Sequence, residues 1–224
     1  MGMKISVEQS VEAAELRSKA VNERFSGTGI IAETVLHADG VIGNRGRKGY
    51  AFIRVNTPPQ HWVALAKWLK FDQKVNHCSM ITGTHFPDGT PERGWEVVAH
   101  LMALPIKNVR PNSCTKYNPE SMDIAEIPSE YEVIISLPQG EKPSVPSVQS
   151  VWAGADWNEK ETWDLVGIQF SGHENMFRVL NPHDSPPDFH PLQKQHKIRY
   201  HDFNEMYDDP QGFLRKPADE GRVK

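Results

Sequence analysis

Cysteine is scarce in this sequence of 224 residues. The two cysteines, Cys78 and Cys114, lie far apart and outside any Cys-x-x-Cys pair. They therefore predict neither a disulfide framework nor a zinc knuckle, and they are typical of a protein of a reducing compartment.

Long apolar runs and excess positive charge are missing as well. No apolar run approaches the roughly 20 residues that a membrane-spanning helix needs, so we expect membrane association only through partners. The net charge of -4 leaves no broad basic footprint, which excludes nucleic acid as an expected partner. A hydrophobic content of 38% suits a globular chain with a sizeable core.

Motifs of the common catalytic classes are also missing. No Gly-x-Ser-x-Gly nucleophile elbow is present. The glycine-rich stretch 40–49, with Arg45, Arg47 and Lys48, resembles a phosphate-binding loop. It lacks the Gly-Lys-Ser/Thr ending that opens a helix, and a strand follows it. A hairpin loop is therefore the favoured interpretation.

Five of the ten histidines lie within residues 173–201. A zinc site needs imidazole nitrogens that converge at about 2.0–2.1 Å from the metal, usually from short recognisable spacings. No His-x-His or His-x-x-x-His pair occurs here, and prolines separate the side chains. Structural or interface histidines are favoured, and an independent metal enzyme that uses this segment is the alternative.

The first 138 residues have the pattern of a sheet covered by helices. Residues 7–25 are helical in composition, and a second helix follows Thr57-Pro58-Pro59, with Thr57 as candidate N-cap. Strands are predicted at 30–36, 50–55, 78–82, 95–104 and 131–137, with a long loop over 105–128. The order α-β-β-α-β-β-β predicts an α+β fold, a two-layer helix-on-mixed-sheet domain whose helices cover one face.

Residues 139–224 are predicted to form a second region. It contains a short helix with its N-cap at Asp156, Glu159 as the capping-box partner and Gly167 as the left-handed residue just past its end. Beyond Leu180, prolines are frequent and apolar surface is small. We therefore expect a long extended C-terminal arm over 181–224, disordered when free and ordered on a partner.

Charged and aromatic residues of this helix allow several interpretations. Glu161 and Asp164, three residues apart, could act as an acid/base pair, or could anchor a basic residue of a partner. Lys160 lies four residues before Asp164, which favours a simple ion pair on the helix surface. Trp152, Trp157 and Trp163 are interpreted as packing between the second region and the sheet domain, with a partner surface as the next option.

Residues 157–194, which we call the signature segment, carry a series of ordered elements. The elements are Glu159-Lys160-Glu161, Asp164, Leu165-Val166, Gly172-His173, Arg178-Val179-Leu180, His190-Pro191-Leu192 and Lys194. This order resembles that of the thirty-kilodalton-type subunit of respiratory complex I, the NADH:quinone oxidoreductase family. A divergent version, such as the archaeal deazaflavin-linked one, is included in the resemblance.

The resemblance implies a cofactor-free scaffold subunit in the peripheral arm of a membrane oxidoreductase. Such a complex transfers electrons from NADH, reduced deazaflavin or ferredoxin to a quinone or phenazine and couples the transfer to ion translocation. The subunit would be a non-catalytic part of that translocase, peripheral to the cytoplasmic face of the cell membrane. The equivalent scaffold subunit of a membrane-bound hydrogenase complex is the alternative.

Partners and contact residues are implied in the same way. The partners would be the quinone-site subunit, which is a large hydrogenase-like protein, and neighbouring iron-sulfur subunits. Iron-sulfur clusters, and a flavin or another donor module, are expected in those partners, with no catalytic, cofactor or metal residue in this chain. The implied interface residues are Glu159, Glu161, Asp164, Gly172, His173, Arg178, His190 and Lys194.

Overall fold

The computed structural model describes residues 7–37, 50–104, 127–140 and 142–194. Its elements in chain order are α1 (Val7–Arg24), β1 (Ile31–His37), β2 (Tyr50–Asn56), α2 (Trp62–Phe71), β3 (His77–His85), β4 (Trp95–Ala103), β5 (Ser129–Leu137), β6 (Ser144–Pro146), α3 (Ala155–Val166) and β7 (Gln169–Ser171). The predicted α+β class and its element order are confirmed. The glycine-rich stretch, most of the predicted loop 105–128 and residues 195–224 lie outside the described ranges.

Five strands form a mixed sheet in the order β1-β2-β5-β4-β3. The pairs β1–β2, β5–β4 and β4–β3 are antiparallel, whereas β2 and β5 are parallel. Within the described ranges, no helix combines the length and the apolar character needed to cross a membrane.

One face of the sheet is buried beneath the helices. A single row of paired residues crosses all five strands on this face, and every side chain in it is buried: Ala32, Val55, Val133, Ala99 and Ile81. Successive side chains of a strand alternate between faces, so the residues one position away lie on the opposite face. There, Arg54 is 2.6 Å from Glu132 on β5 and 3.8 Å from Glu33 on β1.

Helix α2 buries the face that its spacing indicates, but its start differs from the prediction. Trp62, Leu65, Ala66 and Leu69 are all buried. The N-cap is His61, without a side-chain cap hydrogen bond, and a 3-10 turn (Pro59–His61) precedes the helix. The prediction of Thr57 as N-cap is wrong, because its backbone N–H donates to Ile134 O (2.9 Å) and extends the sheet instead.

The residues after the sheet share its core. Val145, Val148, Trp152 and other apolar residues of this part belong to the same buried cluster as the sheet. Trp152 stacks on Trp62, with 6.4 Å between ring centroids, and its Nε1 donates to Val75 O. Residues up to Lys194 therefore form one compact unit with the sheet.

Helix α3 lies close against the edge strand β3. Thr162 donates from Oγ1 to Ile81 O at 2.8 Å. A methyl group added at Gly83 would lie 2.6 Å from Ile168 Cδ1 and 3.0 Å from Thr162 Cγ2, so glycine permits the approach.

The short strands β6 and β7 pair in parallel, one before α3 in sequence and one after it. Three residues per strand are too few to show alternation, which is why the sequence does not reveal them.

Gly83→Ala should lower the free energy of unfolding by about 1–3 kcal/mol, because the fully buried Ile168 has little space into which to move. Gly140→Ala is the matched control, since its added methyl group meets nothing within 4 Å. Urea unfolding of both variants measures the difference. Equal stabilities would show that α3 does not need this close approach.

Candidate functional site

The signature segment begins in α3, whose ends are defined by backbone geometry. The helix begins at Ala155 after the N-cap Gly154, which makes no side-chain cap hydrogen bond. The predicted N-cap at Asp156 is therefore wrong, and so is the capping box with Glu159. The C-cap Gly167 has φ 89°, so the prediction of a left-handed residue there is confirmed.

Asp164 is the fully buried centre of the site. Its Oδ2 accepts hydrogen bonds from the backbone N–H groups of Val179 (3.1 Å), Leu180 (2.8 Å) and Asn181 (2.8 Å). Its Oδ1 accepts from Arg178 Nη1 (2.7 Å) and from Asn181 Nδ2 (2.9 Å). We call Asp164 together with residues 178–181 the Asp164 network.

These donors keep Asp164 ionised. Burial alone would raise the pKa of the carboxyl group, but hydrogen bonds from Asn181, Leu180 and Arg178 outweigh that effect and hold the pKa well below its usual range. Both oxygens are occupied by donors of this chain. An acid/base pairing of Asp164 with Glu161 is not supported, because Asp164 is committed to these structural hydrogen bonds.

Arg178 connects Asp164 to the proline-rich loop. Its Nη2 donates to Pro186 O (2.6 Å) and Pro187 O (3.0 Å), and its Nη1 also donates to Phe189 O (3.0 Å). Prolines lack an N–H group, but their carbonyl oxygens remain strong acceptors. A single guanidinium, with its several fixed donors, therefore closes the loop onto the helix.

The same loop caps the carboxyl end of α3. The last four carbonyl groups of a helix have no partner within the helix. Here the Trp163 carbonyl accepts from Gly167 N, and the Asp164 carbonyl accepts from His190 Nδ1 and Asn181 Nδ2. The Leu165 carbonyl accepts from Leu192 N, and the Val166 carbonyl accepts from Gln193 Nε2. His190 Nδ1 must carry a proton in this arrangement, because it faces a carbonyl oxygen.

Residues 181–194 are consequently part of the folded unit. The sequence predicts that they belong to an arm over a partner, whereas the structure shows that they close the end of α3. Pattern analysis misses this because the stretch is held by side-chain hydrogen bonds and by bonds to the last carbonyl groups of α3. It has no repeating ladder of backbone hydrogen bonds. The remainder of the predicted arm, residues 195–224, lies outside the described part of the chain.

Glu159 makes a second buried contact on α3. Its Oε2 lies 2.5 Å from Ser147 Oγ, and its Oε1 accepts from Val148 N at 2.8 Å. Burial raises the pKa of Glu159 from its ordinary value of 4.5 to about 7, although hydrogen bonds from Ser147 and Val148 oppose the rise. Glu159 therefore ties α3 to the connection that follows β6.

A third group surrounds Lys160. The predicted ion pair with Asp164 is wrong, because Lys160 lies 3.0 Å from Asp156 Oδ1, one turn earlier. His173 Nε2 lies 3.1 Å from the same oxygen. The lysine ammonium also lies over the rings of Phe177 (4.5 Å to the centroid) and Trp157 (5.7 Å).

The predicted interface residues therefore divide into two groups. Glu159, Asp164, Arg178 and His190 are buried and have their partners within this chain. Glu161 is half-buried, and Gly172 and Lys194 are exposed, whereas the side chain of His173 is almost fully buried against Asp156. The buried four therefore have an internal role that the sequence did not predict, since sequence order does not reveal to which chain a polar partner belongs. For all eight residues, the contact with a partner subunit stays a prediction.

Sequence reasoning missed Asn181 and Ser147, which orient the two buried carboxylates. Both contacts span long separations in sequence, 17 residues for Asn181 and 12 for Ser147, so neither residue carries a local signal that would have revealed its role. In the described ranges, no group of three or more His, Cys, Asp or Glu side chains is placed to hold a metal ion.

Comparisons with known proteins agree with this architecture. The sequence profile described as "Respiratory-chain NADH dehydrogenase, 30 Kd subunit" matches residues 55–202. The chain is 30% identical over 193 residues to the C-type subunit of NADH-quinone oxidoreductase from Rhizobium rhizogenes, across 83% of this chain and 80% of that relative. It is 32% identical over 161 residues to the same subunit of Azorhizobium caulinodans, across 68% and 64%.

A solved structure shows the same fold. The membrane-bound sulfane sulfur reductase, an archaeal respiratory membrane complex, contains a chain that matches with a TM-score of 0.54 and 17% identity, across 94% of this chain and 98% of that one. At this identity the likeness concerns the fold alone.

The fold and the site thus define a class of protein. It is an α+β domain with a mixed sheet, in which residues of the same chain cap the carboxyl end of α3. The chain belongs to the family of the 30 kDa subunit of the respiratory-chain NADH dehydrogenase, which is a subunit of an oxidoreductase complex. The resemblance inferred from the signature segment is confirmed.

Asp164→Asn should lower the free energy of unfolding by about 3–5 kcal/mol, because it leaves the Arg178 guanidinium buried without its counter-charge. Chemical denaturation measures the loss. The control is Asp188→Asn, which removes an exposed carboxylate of the neighbouring loop and should change stability little. A loss below about 1 kcal/mol for Asp164→Asn would contradict the network's structural role.

Glu159 should make stability fall as pH rises. A carboxyl whose pKa is raised in the folded state binds more protons there than in the unfolded chain, so stability is lost as pH rises from 4.5 through about 7. The loss is roughly 3 kcal/mol at about 1.4 kcal/mol per pH unit. Glu159→Gln should remove this part of the pH dependence. Urea unfolding of both proteins at pH 5 and pH 8 tests it, and parallel pH profiles would refute it.

Proposed function

We propose that this chain is a scaffold subunit, without a redox group of its own, in the peripheral arm of a complex I-like membrane oxidoreductase. The observation that carries the proposal is the use of Asp164 and Arg178. Their charged groups hold α3, the proline-rich loop and residues 178–181 in one shape. Groups saturated in this way stabilise a surface and are poorly suited to reacting with a substrate.

The proposed role follows from the demands of electron transfer. Electron transfer and quinone reduction depend on fixed positions of cofactors and binding groups, so a rigid neighbour contributes without reactive residues. In this proposal, iron-sulfur clusters and a flavin or other donor module reside in partner subunits. The chain docks on the quinone-site subunit, and the complex couples electron transfer to ion translocation.

The names of the relatives support NADH as donor and quinone as acceptor, and reduced deazaflavin or ferredoxin and a phenazine remain the other candidates. The chain would be held at the cytoplasmic face of the membrane by its partners. Three interface residues of the signature segment reach the surface, namely Glu161, Gly172 and Lys194, and they are proposed to contribute to the docking. His173 is proposed to contribute by holding its turn against Asp156.

Purification of the chain from its native host tests this assignment. A tagged copy, solubilised in mild detergent, should bring down a large quinone-site subunit and iron-sulfur subunits in near-equal amounts. The membranes should lose quinone reduction with the physiological donor when the chain is deleted. A large subunit that carries nickel-binding cysteines would instead indicate the hydrogenase alternative, and a chain that purifies alone would contradict both.

The Asp164 network should matter for assembly. Asp164→Asn should lower the amount of assembled complex at least several-fold, because its surface loses the shape that the partner binds, while Glu12→Gln on the exposed side of α1 should leave it unchanged. Native gels quantify assembly, and turnover is measured per assembled complex. Normal assembly with lost turnover would point to a direct role in the reaction and contradict the scaffold assignment.

A further inference from the structure

Residues 155–194, which comprise the signature segment and the start of α3, have most of their positive charge paired within the chain. Residues 155–194 contain seven acidic and three basic residues. Of the three basic residues, Lys160 is paired with Asp156, and Arg178 with Asp164. The acidic residues outside these pairs, apart from the buried Glu159, are Glu161, Glu174, Asp184 and Asp188, and all four reach the surface. This surface is therefore strongly acidic.

Two aromatic rings lie on the same surface. Trp157 on α3 is 58% exposed and Phe177 is 38% exposed. Both are in contact with the ammonium of Lys160, which is itself almost fully buried and paired with Asp156. The lysine thus holds two large rings in place while leaving much of their area open.

Two acidic residues lie near these rings along the chain. Glu161 follows Trp157 by one helical turn, so both lie on the same side of α3. Glu174 follows His173, whose ring contacts Asp156 at the first turn of that helix. Open aromatic rings beside carboxylates are the features that bind a guanidinium, which stacks on a ring and pairs with an acid.

We propose that Trp157, Phe177, Glu161 and Glu174 form a docking surface for an arginine-bearing segment of the quinone-site subunit. The proposal rests on the assembly described under the proposed function and specifies the chemistry of one contact within it. Rigid aromatic anchors and arginine are the residues that dominate binding at protein interfaces. The surrounding acidic charge would orient the basic segment and speed its association.

The charge of the surface favours a protein over a membrane. Acidic side chains repel the anionic headgroups of a cytoplasmic leaflet, and apart from Lys194 no basic residue of 155–194 remains outside an internal pair. A lipid contact would therefore be unfavourable at this place. A basic protein segment satisfies the acidic residues and covers the rings at the same time.

Photo-cross-linking within the intact complex tests the proposal. Benzoylphenylalanine replaces Trp157 in the tagged chain, and the same probe at the exposed Phe71 of α2 is the control. The probe at residue 157 should cross-link to a site of the quinone-site subunit that lies next to an arginine, whereas the probe at residue 71 should not reach that site. Mass spectrometry identifies both products.

Charge reversal gives a second measurement. Glu161→Lys with Glu174→Lys should lower the subunit's retention in the complex at 0.3 M salt by about tenfold or more, as expected for loss of a close charge pair. The same change of charge at the exposed Glu12 and Glu15 of α1 should have little effect. Equal retention of the two variants would overturn the proposal.

These experiments distinguish failure of the docking surface from failure of the scaffold role. If the chain assembles but the probe at residue 157 gives no cross-link, or reacts only with lipid or with residues 195–224 of its own chain, the docking surface is wrong and the scaffold role stands. If the chain does not assemble with a quinone-site subunit, the proposed function fails, and the docking surface fails with it.

Discussion

A carboxylate with no exposure to solvent organises the second half of this protein. Asp164 receives five N–H groups, three from the backbone and two from side chains. A buried charge is costly unless it is paired and hydrogen-bonded, and here both conditions are met. Because three consecutive amides converge on one oxygen, residues 179–181 have a fixed conformation without belonging to a helix or strand.

The internal pairing of cations connects stability to function. Arg178 secures the proline-rich loop, and Lys160 holds Trp157 and Phe177 in place. The signature segment contains both basic and acidic residues in sequence, but its surface consists mainly of acidic and aromatic side chains. The buried charged residues hold neighbouring segments in a fixed position, and the exposed residues are available for contact with other subunits. This arrangement is the one that the proposed scaffold role requires.

Much of the fold follows from the sequence, and much of the site does not. Strands such as β4 and the buried face of α2 were predicted because alternation and helical spacing are local properties. The roles of Asp164 and Glu159 depend on partners 14 to 17 residues later and 11 to 12 residues earlier. Sequence order identifies these residues as important but does not reveal their partners within this chain, because long-range polar contacts leave no periodic pattern.

Hydrogen exchange of the backbone amides of Val179, Leu180 and Asn181 is a direct measure of how firmly Asp164 holds this segment. We expect these three amides, although in a loop, to exchange as slowly as amides in the strands β4 and β5, since Asp164 must release them before they open. Exchange at the rate of the exposed Asp184 amide would show that the buried carboxylate does not fix this segment.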